Sequence, residues 1–487
     1  VINLVIGRCR LSILGRHRPP VIIRETPDLG AVMARVALVN LASLEMPGNE
    51  PIFPIGLRCV QDALDRAGHH TQLIDLVEDP QAHDDLSWAA QPWDVIGFTI
   101  RNIDPLDLAC DNHVEHYVEF VNRVRAAAGS RCPLFVGGGP GYSLFADVLL
   151  PLLGFDVGVV GPGENMMLDI VASPEAYRGT GRNLGGGRYG GFTAEALRHP
   201  PSLLAAYARS PTAMIGVEAK RKTCYQGCSY CPYAHISGEN KGELKPRELL
   251  AEELRAIHAA GIRRVFFTDS IFNSELRPAK EVVRTIAGLA LPGLTWCAYF
   301  TPKPFDDELA ELLVGSGVDY VLVSPDSLDD GVMRALGKSF RSRHVDRFVE
   351  RCRQRDLPLR VNVVFGGPGE TRETVRATAR CADAMLSDDE LVMNLGYRVL
   401  PSTAMARQLG LADSDLLSPT FYPFDPELFS WVIEEVDQRF VPTKMMFNIL
   451  AGRVASRKMF PLRPQPGAAG QVMSLPYLPL TRQRWAT

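Results

Sequence analysis

The chain has 487 residues, of which 46% are hydrophobic and 22% charged, with a formal net charge of −4, a composition ordinary for a folded globular protein. Length gives room for two or three domains at roughly 100–200 residues each. The slight acidity argues against a nucleic-acid polyanion as partner. The lack of any apolar run of about 18 residues argues against a membrane span.

The chain opens on a stretch carrying Arg8, Arg10, Arg16, Arg18 and Arg24. It is poor in Ser and lacks the long apolar segment of a targeting peptide. Residues 1–32 therefore read as a loosely ordered extension ahead of Met33, which stands immediately before the first clear strand.

Residues 33–173 alternate between strand and helix patterns. Strands are expected at Ala34–Ala42, Thr71–Val77, Asp94–Ile100, Pro133–Gly137 and Asp156–Val160. Leu57, Val60, Leu64 and Ala67 recur at helical spacing, and His113–Ala127 reads as a further helix. Five strands with helical crossovers predict a parallel, doubly wound α/β sheet, whose ligands bind outside the carboxyl ends of the strands. Residues 174–212, rich in Gly and Arg around 179–192, read as a linker.

A second α/β pattern fills residues 213–401. Strands are expected at Ala213–Ala219, Arg264–Thr268, Thr295–Phe300, Tyr320–Ser324, Arg360–Phe365 and Leu391–Val399, with helices between them. Six such units make a partial parallel barrel, where eight would close it. The pattern weakens over residues 402–487, a small, mostly helical carboxyl-terminal region with helices expected over 426–450 and a Pro-rich tail from Pro461.

Ten cysteines do not make a disulfide framework in a chain this long. Three of them, Cys224, Cys228 and Cys231, stand in the run Lys222-Thr223-Cys224-Tyr225-Gln226-Gly227-Cys228-Ser229-Tyr230-Cys231-Pro232. Such clustering fits one metal site in a reduced, cytoplasmic protein. The spacing is C-x3-C-x2-C, on the loop after the first barrel strand, where barrel active sites lie. Thiolates are the usual ligands of iron–sulfur clusters, and three of them leave one iron of a four-iron cluster open. A structural zinc site is the competing reading, with His235 as its fourth ligand. Cys352 shares a helical face with Val345, Phe348 and Val349, and reads as a core residue.

This motif, with aromatic Tyr230 just before the last cysteine, resembles the signature of the radical S-adenosylmethionine (SAM) superfamily. The resemblance implies a [4Fe–4S] cluster on the three cysteines, SAM chelating its open iron, and Tyr230 near the adenine. It extends through most of residues 213–401. Asp269 and Ser270, in Phe266-Phe267-Thr268-Asp269-Ser270, would face the methionine part of SAM, although the Gly-Gly-Glu of simpler members is absent. Ser324 and Ser327 flank the end of the fourth strand, where the family contacts the ribose and carboxylate. The turn Phe365-Gly366-Gly367-Pro368-Gly369-Glu370-Thr371 resembles the family's Gly-Pro-Gly-Glu-Thr turn. Gly366 and Gly367 would approach the ligand there, unless the segment is simply a tight connection capped by Thr371. Arg398 is a candidate carboxylate partner or, equally, a surface ion pair.

The amino-terminal module resembles the Rossmann-like cobalamin-binding domain of the B12-dependent radical SAM enzymes. No G-x-G-x-x-G follows its first strand, which disfavours a nicotinamide or flavin site. Gly137, Gly138 and Gly139 follow the fourth strand, and Gly161, Gly163 and Glu164 the fifth. By resemblance they make room for the corrin edge and nucleotide tail. No D-x-H-x-x-G is present, so cobalamin is expected base-off without a His ligand. Arg101 and Asn102 follow the third strand, where the corrin face would lie. Arg101 either guards the lower face of cobalt or pairs with Asp104 or Asp107. The resemblance implies methyl transfer from SAM through cobalamin to a carbon of a small-molecule or peptide natural-product intermediate. It also implies an electron donor such as flavodoxin or ferredoxin. Within the same architecture stand non-methylating rearrangement or cyclisation, and a nucleophilic methylation without a free radical, of which tryptophan C-methylation is the known type. A non-catalytic sensor would not need the open iron.

Overall fold

The computed structural model describes residues 33–435, apart from 45–50, 105–112, 186–190, 193–194, 211–212, 238–241, 388–389, 423–426, 429–430 and 433–434. The extension 1–32, Asp107, most of the helical stretch expected over 426–450 and the Pro-rich tail lie outside the described residues.

The first module runs β1 (Arg35–Asn40), α1 (Ile55–Arg66), β2 (His70–Ile74), β3 (Val95–Thr99), α2 (Val114–Ala128), β4 (Leu134–Gly138), α3 (Pro140–Leu144), α4 (Ala146–Leu153), β5 (Val157–Val159), α5 (Glu164–Ala172), β6 (Arg182–Leu184) and α6 (Pro201–Ala208). Its sheet has the order β2-β1-β3-β4-β5-β6 and every pairing is parallel. Helices cover both faces, so both sets of alternating side chains are apolar. Val36 and Leu38 of β1 join Leu57, Leu64, Met167 and Ile170 of α1 and α5. Ala37 and Val39 point the other way, into the core built by α2 and α4.

The second module runs β7 (Ile215–Val217), β8 (Lys220–Arg221), α7 (Tyr233–Ile236), β9 (Glu243–Leu244), α8 (Arg247–Ala259), β10 (Arg264–Phe267), α9 (Leu276–Leu289), β11 (Thr295–Phe300), α10 (Asp307–Leu313), β12 (Val318–Asp326), α11 (Asp330–Ala335), α12 (Ser342–Arg353), β13 (Leu359–Phe365), α13 (Arg372–Met385) and β14 (Leu391–Leu395). Its main sheet is also parallel, in the order β7-β10-β11-β12-β13-β14. Six strands leave the barrel open between β7 and β14, as the sequence predicts. One residue in two on β13 and β14 is buried against the helices and the next is half-exposed. That alternation places Asn362, Val364 and Asn394 on an inner face with free space in front of it.

Two expectations need correction. The segment read as a linker contains β6 and α6. β6 extends the first sheet, and α6 sends Leu203, Leu204 and Tyr207 into the barrel core. A three-residue strand beside a Gly-rich stretch carries no usable period. The carboxyl-terminal region contains α14 (Ala404–Leu409), helical residues at Glu427, Leu428, Trp431, Val432 and Glu435 within the expected helical stretch, and an antiparallel pair of β15 (Tyr397–Arg398) with β16 (Phe421–Tyr422). Tyr397, Val399, Leu400, Met405 and Leu416 share a core with α2 and α4, which joins the modules. No described helix is long and apolar enough to cross a membrane.

Glycines at the first module's strand ends have separable roles. A Cβ on Gly137 would stand 2.3 Å from the Phe155 ring and 2.7 Å from Tyr142, and one on Gly139 would stand 2.5 Å from the Ile100 carbonyl oxygen. The module's own packing thus already requires glycine at these two positions. Gly138 meets only ordinary contacts, the nearest at 3.8 Å. Gly137→Ala should therefore lower stability by about 1–3 kcal/mol through overpacking. Gly138→Ala should leave the urea midpoint within error of the parent. Equal midpoints for both variants would refute this assignment.

Candidate functional site

The three cysteines lie on a loop between β8 and α7 with no regular secondary structure of its own. Its entry is held from below. The Asp269 carboxylate accepts the backbone N–H of Lys220 at 2.6 Å and of Ala219 at 3.3 Å. Burial raises the Asp269 pKa to about 6, with the Lys220 ammonium pulling the other way. Burial likewise lowers Lys220 to about 8, and its Nζ donates to the Phe272 carbonyl and Ser274 Oγ, both at 2.7 Å. Asp269 thus anchors the cysteine loop, and its oxygens are used on backbone amides rather than turned toward a ligand. Ser270 beside it is half-exposed.

The middle of the loop is held by the segment after α11. Ser229 N–H donates to the Leu336 carbonyl at 2.9 Å, and the Ser229 carbonyl accepts from Met405 N–H at 2.8 Å. Gly337 has φ +78°, and a Cβ there would lie 2.2 Å from the Gly227 carbonyl oxygen. Only glycine permits that approach.

Next comes Lys338, which donates to the Tyr230 hydroxyl at 3.1 Å and the Ser324 carbonyl at 3.0 Å, and pairs with Asp326 at 2.6 Å. The Tyr230 hydroxyl also donates to the Asp326 carboxylate. Burial pulls the Lys338 pKa down, and Asp326 and Cys228 more than offset it. Asp326 has φ +64° and sits at a register shift in β12. Strained backbone of this kind collects at functional sites. The sequence reading chose Ser324 and Ser327 and passed over Asp326 and Lys338. A buried Lys twelve residues from its carboxylate partner has no linear signature.

Burial raises the Cys228 thiol to about 11 and raises that of Cys231, yet Cys228 is half-exposed and Cys231 exposed. The thiols therefore face accessible space that is itself enclosed by protein. Tyr299 on β11 has the same character. It is 43% exposed, while burial raises its phenol pKa and the Arg101 cation lowers it. Arg101, two residues past β3, thus lies close enough to Tyr299 for its charge to act on that phenol. With its amide oriented to satisfy its neighbours, Asn102 accepts from Arg101 Nη1 at 3.1 Å and donates to the Arg101 carbonyl at 2.9 Å. Gly161 after β5 lies with the α7 carbonyl of Ile236 3.9 Å from where its Cβ would be. The strand ends of the two modules face each other across the cysteine loop.

Several expected ligand residues have other partners. Arg398 is buried and makes an ion pair with Asp104 at 2.9 Å, so it is neither a free carboxylate clamp nor a surface pair. Asp104 is in turn committed to Arg398, and Arg101 makes no ion pair among the described residues. Glu164 is buried against Arg221 at 3.2 Å, with Glu218 on the same guanidinium at 2.9 Å, and so ties the first module to the strand that enters the cysteine loop. Gly163 packs against Val60. Ser327 is buried, bonds Thr378 Oγ1 at 3.1 Å and accepts from Asp329 N–H. The amides of Gly366 and Gly367 donate to the Glu370 carboxylate, whose pKa burial raises to about 7. Thr371 caps α13. The turn is closed on itself. Ser324, half-exposed, accepts from Asn362 at 3.0 Å on the inner face.

The residues present fit a four-iron cluster. The three thiols are free, and for Cys228 and Cys231 iron in place of the proton would relieve the burial that opposes ionisation. Among the described residues no three His, Cys, Asp or Glu side chains converge at single-ion distance. A cluster does not ask for that, since its thiolates bind different irons.

Residues 222–382 match the family model described as the Radical SAM superfamily. Over 77% of this chain and 74% of its partner, the sequence is 27% identical to a tryptophan 2-C-methyltransferase of Streptomyces laurentii. The fold is similar to the radical SAM methyltransferase TsrM of Kitasatospora setae, solved with cobalamin and a [4Fe–4S] cluster (TM-score 0.66, 24% identity, 78% of this chain and 76% of that one). It is also similar to the cobalamin-dependent radical enzyme OxsB, with TM-score 0.61, 11% identity, and 87% and 71% covered. Residues 222–382 thus carry a radical SAM domain, and the two modules together have the fold of the cobalamin-dependent radical SAM enzymes TsrM and OxsB.

Gly337→Ala should push the Gly227 carbonyl out of place and lower iron retained after anaerobic reconstitution, while far-UV circular dichroism stays that of the parent. Full iron loading of that variant would show that segment 336–338 does not hold the loop.

Proposed function

We propose that this chain is a cobalamin-dependent radical SAM methyltransferase, which moves a methyl group from SAM by way of cobalamin to a carbon of a small-molecule substrate. The observation that carries this reading is the set of three free thiols on the loop after the first barrel strands, with Gly161 at a strand end of the cobalamin-type module close to the Ile236 carbonyl just past that loop. When bound, the cluster supplies the electron that cleaves SAM and cobalamin supplies the methyl carrier.

The chain's own residues then have separable tasks. Cys224, Cys228 and Cys231 would hold the cluster. Tyr230, fixed through its hydroxyl by Asp326 and Lys338, offers its ring beside the cluster, with Ser270 and Ser324 as the polar contacts for SAM. Arg101, braced by Asn102, would bring a positive charge to the bound cobalamin. Gly138 and Gly161 leave room for the cofactor's edge.

Phe266 and Tyr299 meet edge to face at 5.7 Å on the inner side of β10 and β11. That aromatic wall favours a flat aromatic substrate. Tryptophan, on which the Streptomyces laurentii relative is named as acting, is the first to test. The reading includes a cytoplasmic location, where free cysteines stay reduced, and an external electron donor.

Reconstituted protein should bind about four iron per chain, and the Cys224, Cys228 and Cys231 triple alanine variant should lose them. Changing Cys352, buried in the core, should not affect iron. Hydroxocobalamin should bind the full chain with a base-off spectrum, and Arg101→Ala should alter that spectrum and slow turnover. Incubation with methyl-deuterated SAM should place the label on the substrate carbon. Intact iron in the triple variant, a His-ligated spectrum, or turnover without label transfer would each defeat the corresponding part. Release of S-adenosylhomocysteine together with 5′-deoxyadenosine marks the radical route, and its release alone the nucleophilic one.

A further inference from the structure

The arginines at and just past the carboxyl-terminal end of α12 are each neutralised. Arg351 and Arg355 pair with Asp307 on α10, Arg355 also with Glu311, and Arg353 with Glu390. One turn toward its start this stops. Arg343 and Arg347 are exposed, stand four residues apart on one helix face, and have no carboxylate partner among the described residues. Lys303, in the loop after β11, is likewise exposed and unpaired. The three cations gather around one side chain: the pKa of His344 is lowered by partial burial first and then by Arg343, Lys303 and Arg347. The acids nearby look elsewhere. Asp346 neighbours Asp330 and Cys381, and Asp330 is occupied by the Ser342 backbone N–H at 2.8 Å.

This rim is joined to the cysteine loop. The Lys303 carbonyl accepts from the hydroxyl of Tyr225 at 3.3 Å, and Tyr225, 46% exposed, stands between Cys224 and Cys228. Gln226 donates to Thr301 Oγ1 at 3.3 Å in the same contact. A positive rim beside the cluster loop, on a chain whose formal net charge is −4, is a local device rather than a reflection of overall composition. Unpaired like charges repel one another, and they are put to use where a partner of opposite sign meets them.

We propose that Lys303, Arg343 and Arg347 form the docking surface for an acidic one-electron donor protein that reduces the cluster through the Tyr225 side of its loop. The inference rests on the cluster reading above. One electron leaves the donor's reduced flavin or iron–sulfur centre and enters the cluster, with no bond made or broken and no proton required.

The test uses the full-length, iron-loaded protein and a reduced bacterial flavodoxin, with cluster bleaching followed by stopped-flow absorbance. In the parent, the second-order rate should fall as salt is raised from low to physiological ionic strength. In Lys303→Glu/Arg343→Glu/Arg347→Glu it should drop at least about tenfold at low salt, the scale expected when steering charge is reversed. Flavodoxin affinity measured by titration calorimetry should weaken in parallel. Reduction by dithionite should be unchanged. Arg343→Gln/Arg347→Gln, a milder change, should give an intermediate rate. A flavodoxin rate that ignores both salt and charge reversal overturns the proposal, as does equal slowing with dithionite. So does weaker substrate binding with normal flavodoxin reduction. Failure of the parent to hold iron would instead sink the cluster reading, a separate result.

Discussion

Eight residues, Cys224–Cys231, have neither helix nor strand to fix them, and the rest of the site depends on how they are held. Three thiolates brought into one enclosed space repel one another, and a free loop would spread. Here the restraint comes from main-chain contacts at both levels. Asp269 takes the amides before the loop, and Leu336, Gly337 and Met405 grip its centre. Main-chain ties of this kind cost little side-chain entropy and leave the sulfur atoms free for metal.

Buried charges do the finer positioning. Lys338 and Asp326 are both almost fully buried, and such a pair is weak as a source of stability, because desolvation consumes most of the attraction. Its value is geometric. It fixes the Tyr230 hydroxyl and, through Lys338, the end of β12, so that the ring beside the last cysteine has one orientation. Glu164 with Arg221 does the same between modules. Arg221 directly precedes the loop, so any shift of the first module is passed to the cysteines.

Much of this architecture was legible in the sequence. Parallel sheets buried on both faces give apolar runs, which located the strands of both modules to within a few residues. The cysteine triad was readable because ligand spacing on a short loop is local. What was not legible is long-range. Asp269, Glu164, Ser327 and Arg398 stand at strand ends, where polar residues invite assignment to a ligand. Each is instead committed to a partner elsewhere in the fold. A linear reading sees the polar side chain but not its partner. β6 and α6 were missed for a different reason: three residues of strand next to a Gly-rich segment have too little pattern to register.

The Asp104–Arg398 pair closes a separation of 294 residues. During synthesis the amino-terminal module emerges long before Arg398 exists, and domains generally fold in that order. Until the last barrel strand is complete, the module's carboxylate must remain in water, and the surface of α2 and α4 that later receives Tyr397, Val399 and Leu400 remains uncovered. Contacts this distant in sequence are slow to form. The nascent chain thus carries an uncovered apolar face until residues 397–400 have been made and can pack on it.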